Sequence, residues 1–293
     1  MLDPEIPLPD RLVELPDGRQ VALDDRGDPE GMPVLYVHGT PDSRLARHPD
    51  DSLATAAGVR LLAADRPGIG HSDPDPTATP TSVADDLASL LDHLGIERAA
   101  VVSWSTGAIH ALAFAGVHPH RCRRVVLAAP LVPADAYDDP AVLEGSDDAR
   151  RLFADAHRGM DPGAVGAELA PWLVPPVIDD ATAREMMAGS IAALADVPGA
   201  GDQLALAVRA CVEGGMVGVE RDISAQAAPL GDLLDQITAT VSIHVGTDDT
   251  VTPPAMAAWL GRRLRVEPTV HDGIGHELAI RRWADLLAEA AEA

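Results

Sequence analysis

The chain has 293 residues, enough for one large domain or two modest ones, and its hydrophobic (46%) and charged (23%) fractions are ordinary for a globular protein. Its 46 acidic and 22 basic residues give a net charge of −24 at pH 7, a field that repels nucleic acid and anionic membranes. Every Lys/Arg position is Arg and Asn is absent, which excludes Lys Schiff-base chemistry, a P-loop lysine and Asn-linked glycosylation.

The N-terminal residues, the length of the apolar runs and the cysteine spacing bear on the expected location and partners of the protein. The first ten residues, MLDPEIPLPD, are acidic and proline-rich, and no apolar run is long enough to span a membrane. Cys122 and Cys211 lie far apart and match no metal or redox spacing, so we expect both to pack in the core. We therefore expect a soluble, cytoplasmic protein with no metal or cofactor and no nucleic-acid or membrane partner. Its partner is expected to be a small-molecule substrate, and a homodimer stays open.

The first half of the chain alternates strands and helices. Residues 11–25 predict a β-hairpin around Pro-Asp-Gly, and PVLYVHGT, VRLLAA, AAVVSW and RRVVLAAP predict buried strands. Helices are predicted at about 44–57, at 81–96 with Gly95 as its end, and in TGAIHALAFAGVH. Continuous apolar strands alternating with helices are typical of a mostly parallel sheet with helices on both faces.

The strand–helix alternation stops at about residue 131 and resumes near 237. The intervening segment is rich in Ala, Asp and Pro, and DARRLFADAHRGM, DATAREMMAGSIAALA and DQLALAVRACVEGG are its candidate helices. Strands follow in TVSIHVGTDD and LRVEPTVHDGIG, and HELAIRRWADLLAEAAEA predicts a C-terminal amphipathic helix. We predict an α/β core formed by 1–130 and 237–293, with 131–236 inserted as a helical cap.

Four strand ends carry reactive or turn-forming residues: HGTP, SWSTG, GTDDT and GIGH. Ligands of open α/β sheets bind at the carboxyl ends of the strands. SWSTG is close to G-x-S-x-G, in which a serine lies on a tight strand-to-helix turn. A carboxylate and then a histidine follow it in the chain, which are the partners that an activated serine needs.

This order and these motifs resemble the α/β-hydrolase fold superfamily. HGTP resembles its His-Gly-X oxyanion loop, DRPGIGHS its Asp-Arg-Pro-Gly turn and GTDDTVTP its acid loop, and the resemblance covers nearly the whole chain. It implies Ser105 as nucleophile, His276 as base and Asp249 as acid, with Asp248 as the alternative acid. It also implies an oxyanion hole from the backbone N–H groups of Thr40 and Thr106.

Other histidines and carboxylates have structural interpretations. His38 and Asp65 match family motifs in which such residues mostly brace loops. Three positions near the oxyanion loop and the serine turn depart from the family pattern. Asp42 stands where a glycine usually follows the oxyanion loop, and Ser103 replaces the first glycine of the serine turn. Thr106 follows the nucleophile at a position where Met, Leu, Gly or Ala is commoner.

The sequence favours a serine hydrolase that cleaves an ester, lactone or thioester of a small or medium acyl group through an acyl-enzyme on Ser105. Serine at the turn argues against the dehalogenase and epoxide hydrolase branches, which use Asp there, and HGTPD lacks the glycine-rich loop usual in proline iminopeptidases. The extended pattern HGTPDSR…DRPGIGHS resembles a group of bacterial α/β-hydrolases. An acyltransferase or a biosynthetic lyase or cyclase using the same pocket stays open, as does a ligand-binding receptor or pseudoenzyme.

Overall fold

The computed structural model describes residues 3–148, 150–151, 154, 158 and 160–292, except for the side chain of Pro162. The described part forms one sheet of eight strands in the order β1-β2-β4-β3-β5-β6-β7-β8. The strands are β1 (Arg11–Glu14), β2 (Gln20–Gly27), β3 (Met32–Val37), β4 (Val59–Ala64), β5 (Ala99–Trp104), β6 (Cys122–Ala128), β7 (Thr240–Gly246) and β8 (Thr269–His271).

The sheet is antiparallel at one edge and parallel elsewhere. Strands β1 and β2 pair antiparallel, as predicted for the hairpin, and β2 also runs antiparallel to β4. From β4 through β3 and β5 to β8, every neighbouring pair is parallel. The carboxyl ends of six strands therefore lie at the same edge, where the sequence has its polar strand ends.

Both faces of the sheet are buried beneath helices, which confirms the predicted fold class. Along β3, Leu35 and Val37 belong to one apolar cluster and Val34 and Tyr36 to another, as the two-residue period of a strand requires. The helices are α1 (Ser52–Ala56), α2 (Pro80–His93), α3 (Gly107–Val117), α4 (Pro162–Leu173), α5 (Asp180–Met186), α6 (Ala188–Ala193), α7 (Ala200–Ala210), α8 (Val217–Gln226), α9 (Pro254–Leu264), α10 (Leu278–Arg281) and α11 (Trp283–Ala291). Short 3-10 helices cover Ala134–Asp138, Pro140–Leu143 and Gly231–Gln236.

Local chemistry explains the best-defined helix, α2. The Thr79 side chain accepts a hydrogen bond from Ser82 N, and the Ser82 side chain accepts one from Thr79 N, a reciprocal capping box. Pro80 occupies the first turn, where a missing N–H costs nothing. The helix is followed by Gly95 at φ +68°, a left-handed conformation that glycine adopts without strain.

Helices α4 to α8 lie in the chain between β6 and β7, within the predicted insertion, and have an apolar cluster of their own. Val165, Val208 and Ile223, from α4, α7 and α8, meet in this cluster, which Ile69 of the sheet domain also joins. The boundaries 131–236 of a separate cap stay a prediction. No described helix combines the length and apolarity that a membrane-spanning helix needs.

Several predicted elements differ from the observed ones. Of the predicted helix at 44–57, only α1 forms, because Arg44 is held instead by buried bonds to Asp24 and Asp65. The predicted C-terminal helix is broken at Arg282 into α10 and α11. The candidate helix in DATAREMMAGSIAALA is likewise split into α5 and α6. The candidate helix at 148–160 falls largely outside the described residues.

Candidate active site

Ser105 lies on a sharp turn between β5 and α3. Its φ is +56°, the left-handed region that a residue with a Cβ rarely adopts, so the backbone is strained there. The turn is held on both sides, because Ser105 N donates to Ala128 O and Leu131 N donates to Ser105 O. A Cβ at Gly107 would lie only 2.2 Å from Val37 O, which explains glycine at the start of the helix.

The structure brings Ser105, His276 and Asp249 into one hydrogen-bonded chain. His276 Nε2 lies 3.0 Å from Ser105 Oγ, and His276 Nδ1 lies 2.9 Å from Asp249 Oδ2. Because the ionised carboxylate can only accept, Nδ1 carries the proton and Nε2 is free to accept from the serine hydroxyl. Trp104 Nε1 donates to the carbonyl oxygen of His276 at 2.8 Å and so fixes the loop that carries the imidazole.

Of the two adjacent carboxylates, only Asp249 reaches the imidazole. It is 2% exposed, and its Oδ1 accepts hydrogen bonds from the N–H groups of Val251 and Thr252 at 2.9 and 2.8 Å. The Thr252 hydroxyl lies 2.9 Å from Asp249 Oδ2. The alternative, Asp248, is exposed and accepts a hydrogen bond from the neighbouring Thr247 hydroxyl.

Burial and charge set the protonation of this chain. Burial alone lowers the pKa of His276, but the charge and hydrogen bond of Asp249 outweigh it and hold the pKa above its ordinary value. Burial raises the pKa of Asp249, yet the imidazole charge and the hydrogen bonds to the carboxylate leave it lowered. Asp249 is therefore ionised near neutral pH, and His276 binds a proton more readily than a free histidine.

The backbone around Gly39 and Thr40 lies directly beside the serine. The point at which a side chain on Gly39 would begin is 3.2 Å from Ser105 Cβ. Thr106 caps α3, so its N–H belongs to the helix-start donors that have no partner within the helix. The structure thus brings the loop that carries Thr40 and the start of α3, which carries Thr106, to the nucleophile from two different elements.

An ion pair that the sequence analysis did not identify holds the Gly39–Thr40 backbone in place. The Arg66 guanidinium donates to Gly39 O at 2.8 Å, to His38 O, and from Nε to Asp222 Oδ1 at 2.7 Å. Asp222, on α8, also accepts from Thr40 Oγ1 at 2.9 Å. We call Arg66, Asp222 and Thr40 the loop clamp. Asp222 is separated from the loop by more than 150 residues, so the sequence carried no signal for this contact.

His38 and Asp65 brace loops, in agreement with their structural interpretation. His38 Nδ1 donates to Gly39 O at 2.8 Å, and burial with the nearby Arg66 charge holds its pKa well below the ordinary value. Asp65 accepts from Arg44 N at 2.7 Å and from the Arg44 guanidinium at 2.8 Å.

All three departures from the family pattern are buried, and two of them, Ser103 and Asp42, have a side-chain oxygen without a partner among the described residues. Ser103 is fully buried, and its hydroxyl finds no partner among the described residues. Asp42 is 6% exposed, and its Oδ1 likewise has no hydrogen-bond partner in the described part of the chain. Burial raises the pKa of Asp42, and the charges of His276 and Arg66 offset part of this increase. The resulting pKa is about 7.

A cleft of about 640 Å³ opens beside Thr40. Leu173, Val174 and Ile223 of the inserted segment and Val251 of the acid loop form its apolar wall. Among the described residues no group of three or more His, Cys, Asp or Glu side chains is arranged to hold a metal ion. Asp147, Arg150 and Gln226 also line the cleft, which therefore combines an apolar wall with polar and charged groups beside the loop that carries Thr40.

The sheet and its covering helices define an α/β protein, and comparisons with known proteins agree with this fold. Residues 32–163 match the family model described as alpha/beta hydrolase fold. An alpha/beta hydrolase fold protein from Nakamurella multipartita is 27% identical, with a TM-score of 0.61 over 96% of this chain and 99% of that chain. A thermophilic esterase from Thermogutta terrifontis is 24% identical, with a TM-score of 0.63 over 95% and 97%.

Similarity to curated relatives is confined to part of their length. A probable proline iminopeptidase from Streptomyces coelicolor is 34% identical over 139 residues, which are 43% of this chain and 42% of the relative. The match thus spans less than half of that relative. The chain has the α/β-hydrolase fold.

Proposed function

We propose that the protein is a serine hydrolase that cleaves an ester, lactone or thioester of a small or medium acyl group through an acyl-enzyme on Ser105. The observation that carries this proposal is the chain of hydrogen bonds from Asp249 through His276 to a serine at φ +56°. The α/β-hydrolase fold supports hydrolysis as the reaction class without selecting a substrate.

In the first half of the reaction, Ser105 Oγ attacks the acyl carbon while its proton passes to His276 Nε2. The carbonyl oxygen gains negative charge and accepts hydrogen bonds from the N–H groups of Thr40 and Thr106. A preorganised donor of this kind contributes about 10²–10³ in rate. His276 then gives its proton to the leaving alcohol or thiol, and the ester of Ser105 remains.

In the second half, water attacks the acyl-enzyme. His276 Nε2 takes a proton from this water, the second tetrahedral species uses the same two N–H groups, and the proton returns to Ser105 Oγ as the acid leaves. Throughout, Asp249 holds the Nδ1–H tautomer and balances the imidazolium charge. The apolar wall of the cleft supports a small or medium acyl chain, and the net charge of −24 disfavours strongly anionic substrates.

A fluorophosphonate probe tests whether Ser105 is activated. We expect one adduct per chain, located by peptide mapping on Ser105, and we expect Ser105→Ala to abolish it and His276→Ala to slow it by at least a hundredfold. The matched control is Ser242→Ala, which removes a serine hydroxyl on β7. A folded wild-type protein that forms no adduct would contradict the proposal and favour a binding role.

A further inference from the structure

Asp42 is a buried carboxyl group that has no role in the steps of the proposed hydrolysis. It lies in the loop after β3, and its Oδ1 finds no hydrogen-bond donor in the described part of the chain. A buried polar group without a partner costs free energy, more so when it is charged. The other buried acids of this region, Asp65 and Asp222, are both paired with arginines.

The position of this carboxyl group relates it to the nucleophile. Asp42 Oδ2 and Ser105 Cβ lie 3.1 and 3.2 Å from the same point, where a side chain on Gly39 would begin. The two side chains are therefore neighbours across Gly39. Oδ2 is thus the oxygen on the side of the nucleophile, and Oδ1 of the same carboxyl group is the one without a donor. A carboxyl group next to the nucleophile's side chain, with one oxygen unpartnered, is placed to receive a donor that arrives with the substrate.

Among the described residues, the charged or titratable groups that influence Asp42 lie on several different elements. His276 follows β8, Arg66 follows β4, and Asp222 lies on α8. The charge of Asp42 also contributes to the raised pKa of Tyr36 on β3 and of Cys211 at the end of α7, where burial is the larger cause. The Arg66 charge is engaged by Asp222 and two carbonyl groups and does not hydrogen-bond Asp42.

We propose that Asp42 determines specificity by accepting a hydrogen bond from an ammonium or hydroxyl group on the α-carbon of the substrate's acyl group. This inference rests on the proposed function, because it places the acyl carbon at Ser105 Oγ. The α-carbon is the substrate carbon closest to the serine that can carry such a donor, whereas an alcohol leaving group carries one only further away. Acyl groups with a donor at this position are thus the class that the site prefers.

Three ethyl esters of the same shape test the proposal: isobutyrate with no donor, L-lactate with a hydroxyl and L-alaninate with an ammonium. We expect wild-type kcat/KM for at least one donor-bearing ester to exceed that for isobutyrate by about tenfold to hundredfold, the worth of a hydrogen bond to a charged group. Each ester is also scored as a protectant of Ser105 against the fluorophosphonate probe, so binding without turnover is detected.

Asp42→Asn and Asp42→Gly are expected to reduce this preference by the same factor, and the glycine variant restores the residue usual at this position. Asp232→Asn, which removes an exposed carboxylate from the 3-10 helix Gly231–Gln236, is the matched control and should keep the wild-type preference. A preference for isobutyrate, or an equal preference in wild-type and both Asp42 variants, would overturn the proposal.

The pH dependence separates the two kinds of donor. Because the pKa of Asp42 is about 7, raising the pH through 7 ionises it and should increase the preference for alaninate more than that for lactate. The Asp42→Asn profile records the titration of the substrate amine alone.

If Ser105 is labelled by the probe but no ester is hydrolysed or protects it, the inference about Asp42 is wrong and the activated serine stands. If Ser105 is not labelled at all, the proposed function itself fails.

Discussion

At the scale of single residues, Ser105 explains why the polar sequence Ser-Trp-Ser-Thr (103–106) stands between the apolar strand β5 and the apolar helix α3. A left-handed non-glycine residue costs on the order of 1–3 kcal/mol, and the surrounding structure must stabilise it. Backbone bonds to Ala128 and Leu131 and the close packing of Gly107 on β3 supply that stabilisation. The strained turn places the hydroxyl 3.0 Å from His276 Nε2.

The protonation of His276 is the second property set by single residues. Its pKa lies above the ordinary histidine value because Asp249 outweighs burial. The general base must be neutral, so kcat/KM falls as the pH drops through this raised pKa. The acidic limb of the pH profile is therefore expected above pH 6.5, the ordinary pKa of histidine.

We predict that Asp249→Asn lowers kcat by about 10⁴, the loss seen when the tautomer of a triad histidine is wrong. It also removes the carboxylate that raises the pKa of His276, so the acidic limb should move to lower pH. Stopped-time ester hydrolysis between pH 5 and 9 measures both effects. The control is Asp248→Asn, expected to keep most activity; a larger loss there than at Asp249 would contradict the assignment.

Part of this site could be predicted from the sequence because its residues stand in local motifs. Ser105, Asp249 and His276 each follow a strand, and parallel strands bring their carboxyl ends to one edge. The contact of Asp222 with Arg66 depends on how α8 packs on the loops, and the sequence carries no such information. The isolation of the Asp42 carboxyl group is equally a property of the packed structure.

At the scale of elements, the loop clamp joins the inserted segment to the sheet domain. Arg66 and Asp222 are 4% and 5% exposed in their side chains and form a two-point ion pair. Burial raises the pKa of Asp222, but the Arg66 charge outweighs this and leaves it lowered, so the carboxylate stays ionised. Removing one partner of a buried pair leaves the other charge uncompensated.

Asp222→Ala is therefore predicted to lower the free energy of unfolding by about 3–5 kcal/mol. It should also lower kcat, because Thr40 and Gly39 lose the contacts that hold their backbone beside Ser105. Urea denaturation and ester hydrolysis measure the two losses. Asp235→Ala is the matched control, since Asp235 forms a comparable pair with Arg263 at the surface. An equal loss of stability in both variants would show that burial of the clamp is unimportant.

Elements with a strong periodic pattern could be predicted, and those fixed by tertiary contacts could not. The apolar strands and the hairpin form where the sequence places them. The 44–57 region fails as a helix because the Arg44 side chain and backbone bind Asp65. Helix α9 was not predicted, although Pro254 in its first turn and basic residues in its last turn are helix signals.

At the scale of the whole molecule, charge is the dominant feature. A net charge of −24 on 293 residues opposes compaction through self-repulsion, and the ion pairs at the surface offset only part of it. Salt screens this repulsion, because the screening length falls from roughly 30 Å at 0.01 M to about 8 Å at 0.15 M.

The free energy of unfolding at pH 7.5 is thus predicted to rise as NaCl increases from about 0.01 to 0.15 M. Urea denaturation at each salt concentration measures it, with choline chloride as a control for specific sodium binding. A decrease with salt would mean that attractive ion pairs outweigh the net repulsion.

Rapid mixing with p-nitrophenyl butyrate, followed by an acid quench, measures whether Ser105 becomes acylated during turnover. Intact mass and peptide mapping of the quenched protein should show one butyryl group on the peptide that contains Ser105, and none in Ser105→Ala. Steady hydrolysis with no acyl group on that peptide, retained in Ser105→Ala, would show that the reaction does not pass through an acyl-enzyme on Ser105.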